Sequence, residues 1–199
     1  MPLLEDIKKG TEIVTGIGRP DWVDVPTRPR KANAYRFKDD GETPNNSRLP
    51  LIHYRSAVVL DPDYDPAAVF EVLFKEYGWV DQWRDGIYSY LHFHTKTHEV
   101  LGIARGTARV QFGGKKGRTV ALKPGDVVIL PAGTGHRRVK ASRDLLVVGA
   151  YPRGSDYDEP KPDEVDAKRA RKRIAAVPVP PCDPVYGREG PLTKLWAAK

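Results

Sequence analysis

A small set of histidines and a glutamate, divided between two segments of the chain, has the residue types and spacing of metal ligands. His92 and His94 are one residue apart, His98 and Glu99 follow a short turn later, and His136 lies in a second segment. Because side chains alternate along a β-strand, His92 and His94 would point to the same face. Of the adjacent pair His98 and Glu99, only one would enter the same site.

Imidazole nitrogens and a carboxylate oxygen form a ligand mixture that suits several divalent metals. The sequence therefore predicts one bound divalent ion of Fe, Mn, Ni, Zn or Cu. An ion held by protein ligands, with coordination positions left for water, dioxygen or substrate, would support catalysis on a small molecule.

The spacing of these residues resembles the two motifs of the cupin superfamily. The first motif is matched by Gly86, five residues, His92-Phe93-His94, four residues, Glu99, six residues and Gly106, and the second by Gly125, five residues, Pro131-Ala132-Gly133, two residues and His136. Many cupins have Asn, which is not a ligand, where this chain has Lys140. The residues around the motifs, at 98–102, 131–138 and 183–187, are similar to the YjlB-like group, cupins without an assigned reaction.

The resemblance implies an all-β fold, a cupin-type double-stranded β-helix (jelly-roll) barrel with a flanking helix and N- and C-terminal arms. It also implies a ligand set, because the motif places its carboxylate six residues before Gly106 and so selects Glu99 over His98. The implied metal ligands are His92, His94, Glu99 and His136. A homodimer is the usual assembly of the family and is the expectation here.

The composition along the chain divides it into three parts. Residues 1–32, interrupted by Gly and Pro, are predicted to form an N-terminal arm. Residues 33–152 are the predicted barrel, including a covering helix at about 66–77 with Asp65 as N-cap and Pro66 in the first turn. Residues 153–199, rich in Pro and charge, are predicted to form a C-terminal tail with a short helix, packed on the barrel or on a partner subunit.

Two further residues are candidates for catalysis beside Glu99. An unbroken strand from 87 to 94 would place Tyr90 on the face of His92, where its hydroxyl could bind substrate or simply fill space. Alternation beyond His136 would turn Arg138 inward, where it could anchor a carboxylate or phosphate, or form a salt bridge at the barrel lip. An inward Arg138 makes a small anion one of the expected substrate types.

Composition and charge restrict the classes of partner. The chain has 199 residues, with 40% hydrophobic and 30% charged residues, a net charge of +7 and one cysteine, Cys182. A lone cysteine fits a reducing cytosol, and the absence of a signal segment or long apolar run predicts a cytoplasmic protein rather than a membrane or secreted one. The basic run 168–173 follows acidic residues, which is typical of a solvated helix with a matched dipole rather than a nucleic-acid site.

The sequence leaves three functions open. A metal-dependent enzyme acting on a small molecule, with oxygenase or isomerase-like chemistry, is favoured. The alternative is a non-catalytic module that binds a small ligand, and no helix-turn-helix pattern adjoins the predicted barrel. A structural protein with a vestigial site is disfavoured by the complete ligand set, although the fold by itself does not determine the function.

Overall fold

A computed structural model describes Gly18, Pro20 and residues 25–197, and the strands of this part form two antiparallel sheets. The strands are β1 (Asn33–Tyr35), β2 (Leu51–Tyr54), β3 (Trp79–Asp85), β4 (Glu99–Arg105), β5 (Ala108–Phe112), β6 (Arg118–Leu122), β7 (Val127–Leu130), β8 (His136–Ala141) and β9 (Leu146–Pro152). Six of them form one sheet in the order β1-β2-β7-β4-β9-β3, and three form the other in the order β6-β5-β8. This architecture confirms the all-β cupin barrel predicted from the motifs. Most of the predicted N-terminal arm lies outside the described residues.

The inner strands of the six-stranded sheet, β2, β7, β4 and β9, are buried on both faces because each face packs against a different partner. Along β4, Val100 belongs to a cluster with the covering helix, whereas Leu101 belongs to the cluster between the two sheets. Along β7, Ile129 and Val128 divide in the same way. Alternating positions of a strand point to opposite faces, so these nearly continuous apolar runs supply two cores at once.

Helix α1 (Pro66–Glu76) covers the outer face of the large sheet. As predicted, Asp65 is its N-cap, and the Asp65 side chain accepts a hydrogen bond from the Ala67 N–H. The helix packs so closely that a Cβ on Gly102 of β4 would lie 2.4 Å from the ring of Phe70. Glycine at position 102 therefore allows the helix to approach the strand that begins at Glu99.

The C-terminal part of the described chain packs on the barrel and contains three short helical segments. These are a 3₁₀ helix (Pro162–Glu164), α2 (Ala167–Ala176) and α3 (Pro191–Leu195). Ile174 of α2 is buried beside Phe93, and Trp196 is buried with its Nε1–H donating to the Pro50 carbonyl at 2.8 Å. Exposed basic residues of α2 include Arg171, which pairs with Asp39 at 2.5 Å. No helix in the described residues is long and apolar enough to cross a membrane.

The prediction of an unbroken strand from 87 to 94 is wrong. Within this segment the structure has a single isolated β-bridge, which joins His92 to His136. The rest of the segment is joined to distant parts of the chain by single backbone hydrogen bonds, such as the Phe93 N–H to the Pro160 carbonyl at 3.2 Å and the Arg138 N–H to the Tyr88 carbonyl at 2.7 Å. A strand is present instead at β3, which pairs antiparallel with β9.

Candidate metal centre

Backbone pairing between the two motif segments brings the histidines together. His92 and His136 exchange two backbone hydrogen bonds, His92 N–H to His136 O at 3.2 Å and His136 N–H to His92 O at 2.9 Å. The Gly133 N–H donates to the His94 carbonyl at 2.7 Å, which ties the second motif to the first. Gly133 has φ +88°, and a Cβ there would lie 2.8 Å from the Asn45 carbonyl oxygen. The turn before His136 therefore requires glycine.

Each of the three imidazoles is oriented by a backbone carbonyl. The Nδ1 atoms of His92, His94 and His136 lie 3.3 Å from Tyr90 O, 2.6 Å from Asp158 O and 3.1 Å from Thr134 O, respectively. A carbonyl oxygen can only accept a hydrogen bond, so each Nδ1 carries a proton and Nε2 is the nitrogen left to bind a metal. This is the outer-shell arrangement that orients metal-binding histidines in proteins.

The three histidines form a buried group that could bind a metal ion. One ligand nitrogen from each of His92, His94 and His136 lies within 4.8 Å of the others. Glu99, the first residue of β4, adds a carboxylate, with Oε2 at 3.2 Å from His94 Nε2 and 3.4 Å from His136 Nε2. His94 Nε2 and Glu99 Oε2 are both buried and have no hydrogen-bond partner in the described structure. A proton or a metal ion between these two atoms would satisfy both, and the donor set of three imidazoles and a carboxylate fits a divalent metal.

The electrostatics of the group favour the neutral His92 and the ionised Glu99 that a metal needs, but they favour a proton on His94, which a metal ion would have to displace. Burial and the neighbouring imidazoles lower the pKa of His92 to about 3, so this ring is neutral. Burial opposes ionisation of Glu99, but His94 and His136 outweigh it and hold the pKa of Glu99 well below its usual range. Burial likewise opposes the charge on His94, but the Glu99 carboxylate and the Asp158 carbonyl raise its pKa.

A cavity of about 450 Å³ opens above this group. Its base is formed by His92, His94, His136 and Glu99, and its walls include Trp83 of β3 and Tyr151 of β9. The Trp83 Nε1–H donates to the Tyr151 hydroxyl at 3.0 Å. Burial and the Glu99 charge raise the pKa of Tyr151, so its hydroxyl stays protonated and can donate a hydrogen bond. The cavity volume is in the range of sites for small organic molecules.

Residues 155–161, here called the strap, follow β9, and Ser155, Asp156, Tyr157 and Glu159 line the cavity. Asp158 fastens the strap, because its carboxylate accepts from the Thr95 N–H at 2.7 Å, the Lys96 N–H at 3.2 Å and the Thr95 hydroxyl. The Tyr157 ring lies 5.4 Å from the His94 ring. Sequence reasoning missed the strap, although a tyrosine set among acidic residues directly after the last strand is a visible signal.

Two predicted catalytic residues do not reach the group. Tyr90 is 38% exposed, stacks on Tyr88 and donates its hydroxyl to Glu159 at 2.9 Å, because the chain bends away where a strand was expected. Arg138 was expected to turn inward, and this is corrected: its side chain is exposed. Arg138 lies on β8 and pairs with Val110 of β5. Because β8 is an edge strand of its sheet, the Arg138 side chain can reach solvent. Neither residue lines the cavity in the described chain.

His98 lies outside the metal group, as the motif implied. The His98 ring is buried on the opposite side of β4, where Nδ1 accepts from the Ala132 N–H at 2.9 Å and the ring centre lies 4.7 Å from that of Trp196. Adjacent residues of a strand face opposite ways, so Glu99 enters the cavity and His98 supports it from behind.

The fold and the histidine group define a cupin, and residues 82–148 match the Cupin domain family (Cupin_2). The chain belongs to the YjlB-like group of this superfamily. It is 36% identical over 167 residues to Bacillus subtilis (strain 168) YjlB, described as an uncharacterized protein, with 84% of this chain and 98% of YjlB covered.

Solved structures also resemble the chain, at low sequence identity. A mutant of Bacillus subtilis oxalate decarboxylase OxdC is 18% identical with a TM-score of 0.31, over 58% of this chain and 24% of that chain. Acireductone dioxygenase from Bacillus anthracis, with a cadmium ion in its active centre, is 19% identical with a TM-score of 0.34, over 48% and 67% of the two chains. The chain thus spans about a quarter of the decarboxylase chain.

Proposed function

We propose that the protein is a metal-dependent enzyme that acts on a small molecule bound in the cavity, with oxygenase or isomerase-like chemistry. The observation that carries this proposal is the pair of buried, unpartnered atoms His94 Nε2 and Glu99 Oε2 at the base of an open cavity. Buried polar atoms in a protein core that serves only stability normally have hydrogen-bond partners, so two such atoms without partners among the described residues indicate a binding site.

The residues proposed to hold one divalent ion are His92, His94, His136 and Glu99. Such an ion, once bound, supplies Lewis acidity and, if it is iron, one-electron chemistry. The backbone carbonyls keep the three imidazoles in one tautomer, and Tyr157 and Tyr151 shield His94 from solvent at ring distances of 5.4 and 5.9 Å.

Tyr151 is the proposed hydrogen-bond donor to a substrate oxygen. Its hydroxyl accepts from Trp83 and therefore directs its own proton elsewhere, toward Glu99 or a bound molecule. If it detaches from the ion, Glu99 is the proposed proton acceptor of the site, because it is the carboxylate closest to the imidazoles. Tyr90 and Arg138 receive no role in this proposal.

Elemental analysis of protein prepared without an affinity tag tests the metal site. We expect one divalent ion per chain in the unmodified protein and in His98→Gln, and loss of the ion in Glu99→Ala. The His98→Gln variant is a matched control because His98 adjoins Glu99 but faces the other way. Metal retained by Glu99→Ala and lost by His98→Gln would reverse the assignment.

Product formation separates an enzyme from a binding module. Protein reloaded with each candidate metal is incubated with a small-molecule extract, and consumed and newly formed compounds are identified by mass spectrometry. An enzyme converts a compound, and folded His94→Ala does not. A compound that is retained by the cavity but never converted would contradict catalysis and indicate the binding module.

A further inference from the structure

We propose that the cavity binds a small organic cation, a molecule with an amine or quaternary ammonium group toward the mouth and an oxygen donor toward the base. This inference rests on the proposed function for the base of the cavity and adds the substrate class. It replaces the expectation of an anion, which depended on an inward Arg138.

The mouth of the cavity carries an excess of carboxylates. Asp81, Asp85, Asp156 and Glu159 all line it, and among the described lining residues Arg84 is the one Lys or Arg side chain. Lys96 lies outside the lining and pairs with Asp156 at 2.5 Å, so the other three carboxylates keep the mouth negative.

The positive charge of Arg84 is already matched by carboxylates outside the cavity. Its Nε and one terminal nitrogen donate to the two Glu71 oxygens at 2.6 and 2.9 Å, and the other terminal nitrogen donates to Asp65 at 2.6 Å. A guanidinium that makes a two-point contact with one carboxylate and a further contact with another is held away from a ligand. Arg84 therefore offers no free anchor for an anionic substrate.

The backbone conformation at Asp81 directs one of these carboxylates toward the cavity. Asp81 has φ +52°, and the pairing of β3 with β9 is irregular between Val80 and Trp83. A bulge of this kind redirects a side chain and is common beside binding sites. Glu159 is oriented by two hydroxyls, those of Tyr90 and Tyr157, which both donate to it.

Aromatic rings accompany the carboxylates, as a cation site requires. Trp83, Tyr88, Tyr151 and Tyr157 line the same cavity, and the rings of Tyr151 and Tyr157 lie 5.2 Å apart at an angle of 57°. The negative face of an aromatic ring attracts ammonium groups, and several such rings beside carboxylates recognise alkylated amines. A metal at the base would add two positive charges, of which Glu99 neutralises one; Glu99 is buried, whereas Asp81 and Asp85 are exposed.

Two buried polar atoms at the base of the cavity indicate a ligand independently of the carboxylates at the mouth. His94 Nε2 and Glu99 Oε2 are buried and have no hydrogen-bond partner among the described residues, and both residues line the cavity, so the site is more than a group of surface acids. Oxygen donors of a substrate complete the coordination of a hard or borderline cation. The ligand is therefore expected to carry its oxygen donor at the inner end and its positive charge at the outer end.

Binding of matched probes to the zinc-loaded protein tests the inference. The probes are choline, its neutral isostere 3,3-dimethyl-1-butanol and the anion 3,3-dimethylbutanoate, titrated by calorimetry at low salt. We expect choline to bind at least about tenfold more tightly than either of the others, since cation–π and charge contacts are absent from both. Equal or tighter binding of the neutral or anionic probe, or no measurable binding of choline at millimolar concentration, would overturn the inference.

Charge-neutralising variants test whether the carboxylates at the mouth cause the preference for choline. The double variant Asp81→Asn, Glu159→Gln should reduce the preference for choline to less than about threefold, whereas Glu189→Gln should leave it unchanged. Asn tolerates positive φ as well as Asp does, so the change at position 81 does not disturb the bulge. Glu189 is exposed and does not line the cavity in the described chain, which makes it a matched control. An unchanged preference in the double variant would also count against the inference.

The same titration on metal-free protein separates this inference from the proposed function. The carboxylates and rings belong to the mouth, so the preference for choline over its neutral isostere should persist without zinc. Loss of metal binding with a retained preference would refute the metal-dependent function only. Normal metal loading and turnover without any preference would refute only the substrate class.

Discussion

The base of the cavity is assembled from backbone-paired segments of the barrel, whereas its mouth is assembled from side chains of the strap and of the edge strand β3. The base is buried: Glu99 and His136 are each 2% exposed. At the mouth, Tyr157 is 48% exposed and Asp81 is exposed as well. A buried base fixes the geometry of the ligands, and an accessible mouth leaves room for a substrate to be selected. Changes at the base should therefore affect metal binding, and changes at the mouth should affect selectivity.

The largest effect is expected at the base. His136→Ala should abolish metal binding, because one of the three imidazoles is lost, but the backbone bridge between positions 92 and 136 remains and the fold should survive. Metal content after dialysis, together with the circular dichroism spectrum, checks this. A folded His136→Ala protein that retains one ion per chain would show that the group is not the metal site.

Acid stability probes the layer directly behind the base. Burial lowers the pKa of His98 to about 4 from 6.5, so this ring is neutral in the fold while the unfolded chain takes up a proton below pH 6.5. The free energy of unfolding should therefore be highest above pH 6.5 and should fall by about 3 kcal/mol as the pH approaches 4. Denaturant titrations should show a weaker decline in His98→Gln. An identical pH dependence in both proteins would contradict this.

A smaller effect is expected where the strap meets the base. Asp158→Ala leaves the Thr95 and Lys96 N–H groups without their acceptor, which should cost about 2 kcal/mol of stability. It should also weaken metal binding by about tenfold, because the Asp158 carbonyl that orients His94 loses its anchor. Metal titration and thermal unfolding measure the two effects. Asp163→Ala, an exposed change beyond the strap, is the control.

The smallest effect is expected at Arg138. Since its side chain is exposed and does not line the cavity in the described chain, Arg138→Ala should change stability by less than about 0.5 kcal/mol. Metal content and binding of the choline probe should be unchanged. A large loss of probe binding would mean that the arginine reaches the cavity after all and that the mouth is built differently.

The contrast between base and mouth also explains what could be predicted from the sequence. The grouping of the three histidines could be predicted because the two motifs keep a fixed spacing, and the choice of Glu99 over His98 came from the family motif. The helix after Asp65 was found because its cap is local. These features depend on a few adjacent residues and on a family motif that preserves their spacing.

The mouth escaped prediction because its contacts join residues distant in sequence. Asp158 contacts His94 across 64 positions, and a local pattern does not determine which residue of the tail makes this contact. The alternation of Tyr88, Tyr90 and His92 suggested a strand, but the chain bends there and pairs only at His92 within the described residues. The inward direction of Arg138 was predicted from the alternation of side chains along a strand. Alternation alone does not show that β8 lies at the edge of its sheet, where a side chain can reach solvent. Domain boundaries, dimerisation and cytoplasmic location stay predictions.

The most direct test of the proposed centre is an anomalous difference map from crystals of the untagged, metal-loaded protein. We predict one strong peak per chain, at about 2.0–2.2 Å from the Nε2 atoms of His92, His94 and His136 and from a carboxylate oxygen of Glu99. A peak bound through Nδ1 atoms, a peak elsewhere on the chain, or no peak after loading would contradict the account.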